Sequence, residues 1–296
     1  MPRRAKQPAL PTREFVSGLL ASLQKTYTSN LEAVRDDATR PEAIHQLRVV
    51  CRRLRTCLAI YGRYLPPAAG KLRGRLRKLA GRLSLARDLD VMLKRLRRAG
   101  LDLKAVEEYL NARRESQTTH VHEAVSKRGV DRIVRDLQRL VLSKRGWPQQ
   151  AKQPIAVTAK RIVKRAWDDF ADAYEAADEA RSLASWHEVR IHGKRLRYTL
   201  DGLKHLLGDE AEPALQVLIE LQDELGAYLD SRVALEQLKD LHDFAGLDEE
   251  TGHAMETVMA DLRAEGKAAL AAVPSLLRQI RDWGPELARK AGKGRQ

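Results

Sequence analysis

Two short stretches of the sequence carry basic residues at the spacing of one helix face. The first stretch holds His45, Arg48, Arg52 and Arg55, and the second holds His187, Arg190, Lys194 and Arg197. Because each residue of an α-helix turns by about 100°, each set falls within an arc of roughly 80°. We call these sets the first and second basic rows, and their chemistry is that of an anion-binding surface.

Phosphate is the anion that these residue types suit best. Arginine presents its donors in a rigid fork that binds phosphate oxygens in pairs, and arginines one helical turn, about 5.4 Å, apart can follow a linear phosphate chain. Lys194 would act as a point charge, and Tyr198 beside the second row could add a hydroxyl donor. A bound polyanion would favour protonated His45 and His187, so we expect affinity to rise as the pH falls toward about 6.

A charged helix face can also be an ordinary solvated surface. Such faces usually mix signs, because each i,i+4 ion pair contributes about 0.2 to 0.5 kcal/mol and like charges repel by similar amounts. Neither basic row contains an acid. A basic row of this kind occurs in each half of the sequence. This repetition favours a ligand-binding role.

Apolar residues lie opposite each basic row and predict the faces that pack into the protein. They are Leu47, Cys51, Leu54, Leu58 and Tyr61 in the first stretch, and Val189, Leu196, Leu200 and Leu203 in the second. A further basic set, Arg75, Lys78 and Arg82, follows an i, i+3, i+7 spacing and either contacts the ligand or lies on a solvated surface. Asp88 and Asp230 either orient a neighbouring arginine or form surface ion pairs.

Proline and glycine interrupt an otherwise continuous helical pattern. The predicted helices are 12–37, 41–64, 68–98, 103–128 and 130–144, then 155–180, 183–207, 211–241, 248–272 and 274–291. The sequence therefore predicts an all-α protein.

The two halves of the sequence align at a single offset of 142 residues. HQLRVVCRRLRTCL from His45 lies over HEVRIHGKRLRYTL from His187, and LSLARDLDV from Leu83 lies over LGAYLDSRV from Leu225. One offset shared by two separate motifs predicts an internal duplication. We expect two pseudo-symmetric antiparallel four-helix bundles, one from residues 1–148 and one from residues 149–296.

Charge and cysteine use limit the partners and the compartment. The chain has a net charge of +14, and residues 1–150 contain 33 Lys and Arg against 14 Asp and Glu, whereas the remainder contains 21 against 26. A half this basic attracts polyanions, which leaves nucleic acid, anionic membrane and polyphosphate open. Cys51 and Cys57 suit neither a disulfide nor a CxxC site, and no leader or spanning segment is evident, so we expect a cytoplasmic protein without a membrane role.

An enzyme and a nucleic-acid-binding protein are the alternatives. The histidines lack the convergent ligands of a metal site, and no nucleotide-binding or hydrolase motif is present, so we predict no metal, no cofactor and no catalysis. RNA or DNA backbone binding remains open, because cations neutralise all phosphate chains alike. Single-strand binders usually stack bases on aromatic rings, yet aromatics make up only 5% of this sequence.

The repeated pattern His-x-[Leu/Val]-Arg-[Val/Ile]-x-x-[Arg/Lys]-Arg-Leu-Arg, with the Arg87–Val91 run RDLDV after its first copy, resembles the conserved histidine α-helical domain, or CHAD, family. The resemblance covers nearly the whole chain. It implies that two bundles line a shared basic cavity that binds inorganic polyphosphate, with association with polyphosphate granules. The contacts it implies are His45, Arg48, Arg52, Arg53 and Arg55 with His187, Arg190, Lys194, Arg195 and Arg197.

Two features depart from the family pattern. Some members carry a fused CYTH triphosphatase domain with an E-x-E-x-K strand, and this sequence has no such motif. The second half is also acidic at Glu220, Asp223 and Glu224. The two bundles are therefore not expected to share ligand contacts equally.

Overall fold

A computed structural model describes residues 10–100, 103–143, 145–208, 211–244 and 248–290, and these residues form eleven α-helices and no β-strand. The helices before residue 145 are α1 Thr12–Asp36, α2 Pro41–Ile60, α3 Ala68–Arg82, α4 Ser84–Ala99, α5 Lys104–Ser126 and α6 Arg128–Leu142. Those after it are α7 Ile155–Ala180, α8 Leu183–Gly202, α9 Lys204–Leu207, α10 Ala211–Phe244 and α11 Glu249–Lys290. The all-α prediction is confirmed.

The helix bounds fit the offset found in the sequence. Both ends of α2 and α8 differ by 142 residues, and α7 begins and ends within a few residues of the position that α1 predicts. The long helix α10 covers the positions that correspond to α3 and α4, and α11 covers those of α5 and α6. The domain boundary near residue 148 stays a prediction, as does the duplication itself.

The predicted helix 68–98 is wrong in one respect, because it divides at Leu83 into α3 and α4. The Ser84 hydroxyl donates a hydrogen bond to the Ala80 carbonyl oxygen at 2.9 Å. A serine that bonds back in this way competes with the backbone and bends a helix. The residue at the corresponding position of α10 is Gly226, which has no hydroxyl, and α10 is continuous.

The predicted break before residue 274 is also wrong, because α11 continues through Pro274. Proline removes one backbone hydrogen bond from a helix interior and usually ends or kinks it. Here Val273, Leu277 and Ile280 are at most 3% exposed and extend one apolar face across the proline. Burial of that face against α7 and α10 outweighs the lost hydrogen bond. Residue 291 of this predicted helix lies outside the described residues.

One apolar core runs through both halves of the chain. Its buried side chains include Leu20 and Leu54 from the first half and Leu196 and Leu225 from the second. A buried polar link joins the starts of α1 and α7, where the Thr12 backbone N–H donates to the Gln153 carbonyl oxygen at 2.8 Å and the Thr12 and Thr158 hydroxyls lie 2.8 Å apart. The two halves are therefore packed together as one unit.

A second, smaller apolar cluster lies between the distal parts of the long helices. It contains Leu93 and Leu96 of α4, Leu238 of α10 and Met255 of α11. Arg95 of α4 also forms an ion pair with Glu265 of α11 at 3.3 Å. These contacts fix the first half against the second at a position away from the main core.

The helices α2 and α8, which carry the basic rows, have well-defined starts. Pro41 occupies the first position of α2, where its fixed φ suits a helix and its missing N–H costs nothing. Ser182 and Ser185 cap α8 reciprocally, each side chain accepting from the other's backbone N–H at 3.1 Å. The apolar residues predicted to pack inward are buried, as predicted. They are Leu47, Cys51, Leu54, Leu58 and Tyr61 on the α2 side and Val189, Leu196, Leu200 and Leu203 on the α8 side.

None of the described helices combines the length and the apolar composition that crossing a bilayer requires.

Candidate functional site

The two basic rows meet where α2 contacts α8. The charges of Arg52 on α2 and Lys194 on α8 act on each other, and Lys194 also feels the charges of Arg190 and Arg197 in its own row. The pKa of Lys194 is lowered to about 7; burial is the largest cause, the three arginines also lower it, and Asp230 opposes them. The structure thus brings residues from both halves into one cationic centre. We call the row residues other than the histidines the central basic cluster: Arg48, Arg52, Arg55, Arg190, Lys194 and Arg197.

The first row continues this cluster along α2. Burial is the largest cause that lowers the pKa of the Arg48 guanidinium. The charges of Arg52 and Arg87 also lower this pKa, and the charge of Asp88 raises it. Burial also lowers the pKa of His45, and the charge of Arg87 adds to this effect. Both groups are partly buried among other cations, so their charged forms are held at a cost in free energy.

Several guanidinium nitrogens in this region are buried and have no hydrogen-bond partner in the protein. They are Nη1 of Arg48 and the Nε atoms of Arg55, Arg190, Arg195 and Arg197. Within the described part of the chain, no carboxylate forms an ion pair with a member of the central basic cluster. A buried unsatisfied donor costs about 1 to 3 kcal/mol, and more when it is charged. These guanidinium groups are therefore held at a cost in free energy that a bound anion would offset.

Tyr198 lies inside the cluster, as its place beside the second row predicted. The carbon at the centre of the Arg197 guanidinium is 4.8 Å from the centroid of the Tyr198 ring, which is a cation–π distance. Burial raises the pKa of this phenol, but the positive charges of Arg52 and Arg197 outweigh it, so the net shift is downward. The hydroxyl is thus a stronger donor than an isolated tyrosine.

A glycine lets Arg190 pack closely on α10. A Cβ atom built on Gly226 would lie 3.0 Å from Nη2 and 3.6 Å from Nε of Arg190. Any larger residue at position 226 would displace the guanidinium. The close approach of α8 and α10 is supported by Gln222, whose side-chain amide donates to the Gly193 carbonyl oxygen at 3.3 Å.

Asp88 and Asp230 approach each other at one edge of the cluster. The pKa of Asp88 is raised, chiefly by loss of hydration and also by the negative charge of Asp230. The positive charge of Arg48 opposes this shift. Asp88 still exposes much of its surface, so this acidic pair borders the cluster and is not enclosed by it. Of the two readings offered by the sequence, orientation of neighbouring cations fits these positions better than an isolated surface ion pair.

Some predicted residues lie outside the central basic cluster. Arg195 forms an ion pair with Asp169 of α7 at 2.8 Å, although its Nε remains unpartnered. Arg53 and His187 are exposed on α2 and α8. The row residue His187 and the flanking residues Arg53 and Arg195 therefore lie in surroundings different from those of the central basic cluster.

The predicted third basic set is turned away from the cluster. Arg75 forms an ion pair with Asp136 of α6. At about 100° per residue, Lys78 and Arg82 lie within about 60° of Arg75 around the axis of α3. Arg73 and Arg77, on the other flank of α3, instead act on Arg55, and Arg73 also acts on Arg195. The sequence reasoning missed Arg73 and Arg77, because the core stripe of α3 does not show which flank faces α2. It also missed Arg87 of α4, whose charge acts on His45 and Arg48.

Comparisons with known proteins agree with this fold. Residues 18–239 match the sequence model of the CHAD domain. The fold is similar to that of PptA from Streptomyces chartreusis, with 20% identity, a TM-score of 0.74 and coverage of 91% of this chain and 100% of that one. It is also similar to the CHAD domain from the plant Ricinus communis, with 24% identity, a TM-score of 0.73 and coverage of 94% and 96%.

No curated protein sequence matches the chain. The CHAD match nevertheless extends from α1 through most of α10 and includes both basic rows, so the chain belongs to the CHAD domain family.

Proposed function

We propose that this protein binds inorganic polyphosphate along the central basic cluster, without catalysing a reaction, and that this binding associates it with polyphosphate granules. The observation that carries the proposal is the central basic cluster itself, whose cations come from both α2 and α8 and form no ion pair with a carboxylate among the described residues. A chain of phosphates offers oxygens at regular intervals and satisfies several such donors at once. Membership of the CHAD family, with the ligand class that the resemblance implies, supports the same assignment.

The partial burial of these cations favours a slender ligand. A linear polyphosphate has no bases or sugars, so it reaches recessed donors that a nucleic-acid duplex reaches poorly. Tyr198 is the aromatic residue within the cluster, and the Arg197 guanidinium already covers its ring. Base stacking, the usual source of single-strand affinity, is therefore poorly supported here.

Charge reversal of one residue in each row tests the proposal. Arg48→Glu with Arg190→Glu should abolish binding of long-chain polyphosphate in titration calorimetry, because both guanidinium groups are replaced by carboxylates that repel phosphate. Helicity and melting temperature should change little, since the residues lie opposite the core face. Unaltered affinity in this double variant would exclude the central basic cluster as the site.

A matched control uses Lys160→Glu with Lys164→Glu. These lysines are exposed on α7, and the change in net charge is the same. Polyphosphate affinity should fall only slightly in this control, so a loss equal to that of the cluster variant would indicate nonspecific charge attraction.

Competition separates polyphosphate from nucleic acid. At moderate salt, polyphosphate should displace RNA from the protein, because it engages the recessed cations more completely. If polyphosphate fails to displace RNA, the nucleic-acid alternative replaces our proposal.

A further inference from the structure

A separate pocket lies at the junction of the two halves, with a volume of about 300 Å³. Its walls come from the end of α2, the turn Gly62–Tyr64, the linker before α7, and α7 and α8. This volume is at the lower end of the range for small-molecule sites, which is roughly 300 to 1,000 Å³. The pocket therefore suits a compact ligand.

Four arginines surround this pocket, and no carboxylate is among the described residues that line it. The arginines are Arg63, Arg161, Arg165 and Arg195. Arg195 is held in place by an ion pair with Asp169 at 2.8 Å. Such an arrangement has the donors and charge that a phosphate group requires.

The pocket also has an apolar wall. Ile60, Tyr64, Ile162 and Ala166 form it, and the last three are buried. A bare phosphate oligomer would leave this surface unused. A ligand with a flat apolar body and a charged tail would fill both parts.

Most of the residues that correspond to these arginines at the 142-residue offset are of other types. At the 142-residue offset, Leu19 and Leu23 stand where Arg161 and Arg165 stand, and both pack against the core. His205 stands where Arg63 stands, and its ring lies 5.4 Å from that of Phe15. Three of the four arginines thus have a counterpart of another residue type, and only Arg195 corresponds to an arginine, Arg53. The repeated basic rows therefore do not account for this set.

We infer that this pocket binds a small organic phosphate of the nucleotide class. The phosphates lie among the four arginines and the base lies against the wall formed by Ile60, Tyr64 and Ile162. The exposed Gln150 at the rim carries an amide that can hydrogen-bond a base edge. This site is additional to the polyphosphate site proposed above and does not depend on it.

Titration calorimetry with magnesium-free ATP tests the inference. The titration uses the Arg48→Glu and Arg190→Glu variant, so that the central basic cluster no longer attracts the triphosphate. We expect one ATP per chain, and Arg161→Gln with Arg165→Gln added to this background should weaken binding by about tenfold or more. ATP affinity that changes by less than about twofold would overturn the site.

The matched control replaces Lys160 and Lys164 of the same helix with glutamine, which removes the same charge outside the pocket. ATP affinity should stay within about twofold in this control. An equal loss in both pairs of substitutions would mean general charge attraction and would also overturn the site. Arg161 and Arg165 are exposed, so their replacement leaves the core intact.

Ligand comparison tests the apolar wall without altering the protein. In the same background, ATP should bind more tightly than inorganic tripolyphosphate, and adenosine should bind weakly. Tripolyphosphate that binds as tightly as ATP would show that the wall contributes nothing and would overturn the nucleotide class. Long-chain polyphosphate binding by the Arg161→Gln, Arg165→Gln protein with an intact cluster tests the proposed function separately.

Discussion

The two halves of the molecule differ in what they do with corresponding helix positions. On α3 the first half presents Arg73 and Arg77 toward Arg55, whereas the corresponding residues of α10 are Leu215 and Ile219, which are buried and partly buried. The first half thus supplies additional cations around the central basic cluster, and the second half supplies apolar packing. The basic rows themselves are present in both halves, so the rows are the common feature and the surroundings of α3 and α10 are what differs.

The largest effect that we expect concerns the core faces that support the two rows. Leu54 and its counterpart Leu196 are 0% and 2% exposed. Replacement of either by alanine should lower the free energy of unfolding by about 2 to 5 kcal/mol, because each leaves a cavity. Urea denaturation followed by circular dichroism measures this change.

The same pair tests whether the halves fold together. Because one core cluster runs through both halves, each variant should still unfold in a single transition. Two separate transitions, or a loss smaller than about 1 kcal/mol in either variant, would contradict the packing described above.

Charge reversal in one row at a time asks whether the halves contribute equally. Arg48→Glu and Arg190→Glu should each weaken polyphosphate binding by about tenfold to a hundredfold, since each removes a charge-assisted contact and adds repulsion. The loss should be at least as large for Arg190, because Asp88 already offsets part of the charge of Arg48. Calorimetry that finds a loss from one row only would assign the ligand to a single half.

Much of this arrangement could be predicted from the sequence, because periodicity determines which face of a helix is buried. The core faces of α2 and α8 and the position of Tyr198 followed from the 100° turn alone. The orientation of α3 could not be predicted, since Arg73 and Arg75 flank its apolar stripe on opposite sides and only tertiary packing chooses between them. The break at Ser84 and the continuity through Pro274 likewise depend on a side-chain hydrogen bond and on burial that local pattern does not contain.

Lys194 is the one row position at which the halves differ in cation type, because its counterpart is Arg52. The pKa of Lys194 is lowered to about 7 in the free protein, chiefly by burial and by the surrounding arginines. A bound polyanion stabilises the charged amine and raises its pKa, so binding takes up a proton near neutral pH. Affinity should be greatest below pH 7 and should fall as the pH rises above it, by at most about tenfold per pH unit for one proton.

Lys194→Arg should remove most of this dependence, since arginine keeps its charge throughout this range. Polyphosphate affinity at about pH 8 should then be higher in the variant than in the parent protein, and calorimetry in buffers of different ionisation enthalpy should detect less proton uptake. An unchanged pH profile would mean that Lys194 does not contact the ligand. Any dependence that remains below the ordinary histidine range would report on His45, whose pKa is lowered by burial and by Arg87.

The smallest effect that we expect comes from the glycine beneath Arg190. Gly226→Ala places a methyl group 3.0 Å from Nη2 of Arg190, so the guanidinium must shift by a few tenths of an ångström. Helix stability should rise by up to about 1 kcal/mol, because alanine is the better helix former, while polyphosphate affinity falls by a few-fold. Gly74→Ala on α3 is the matched control, since nothing lies within 4 Å of its added methyl group. That control should gain stability without losing affinity. An equal loss of affinity in both variants would show that the loss does not come from displacement of Arg190.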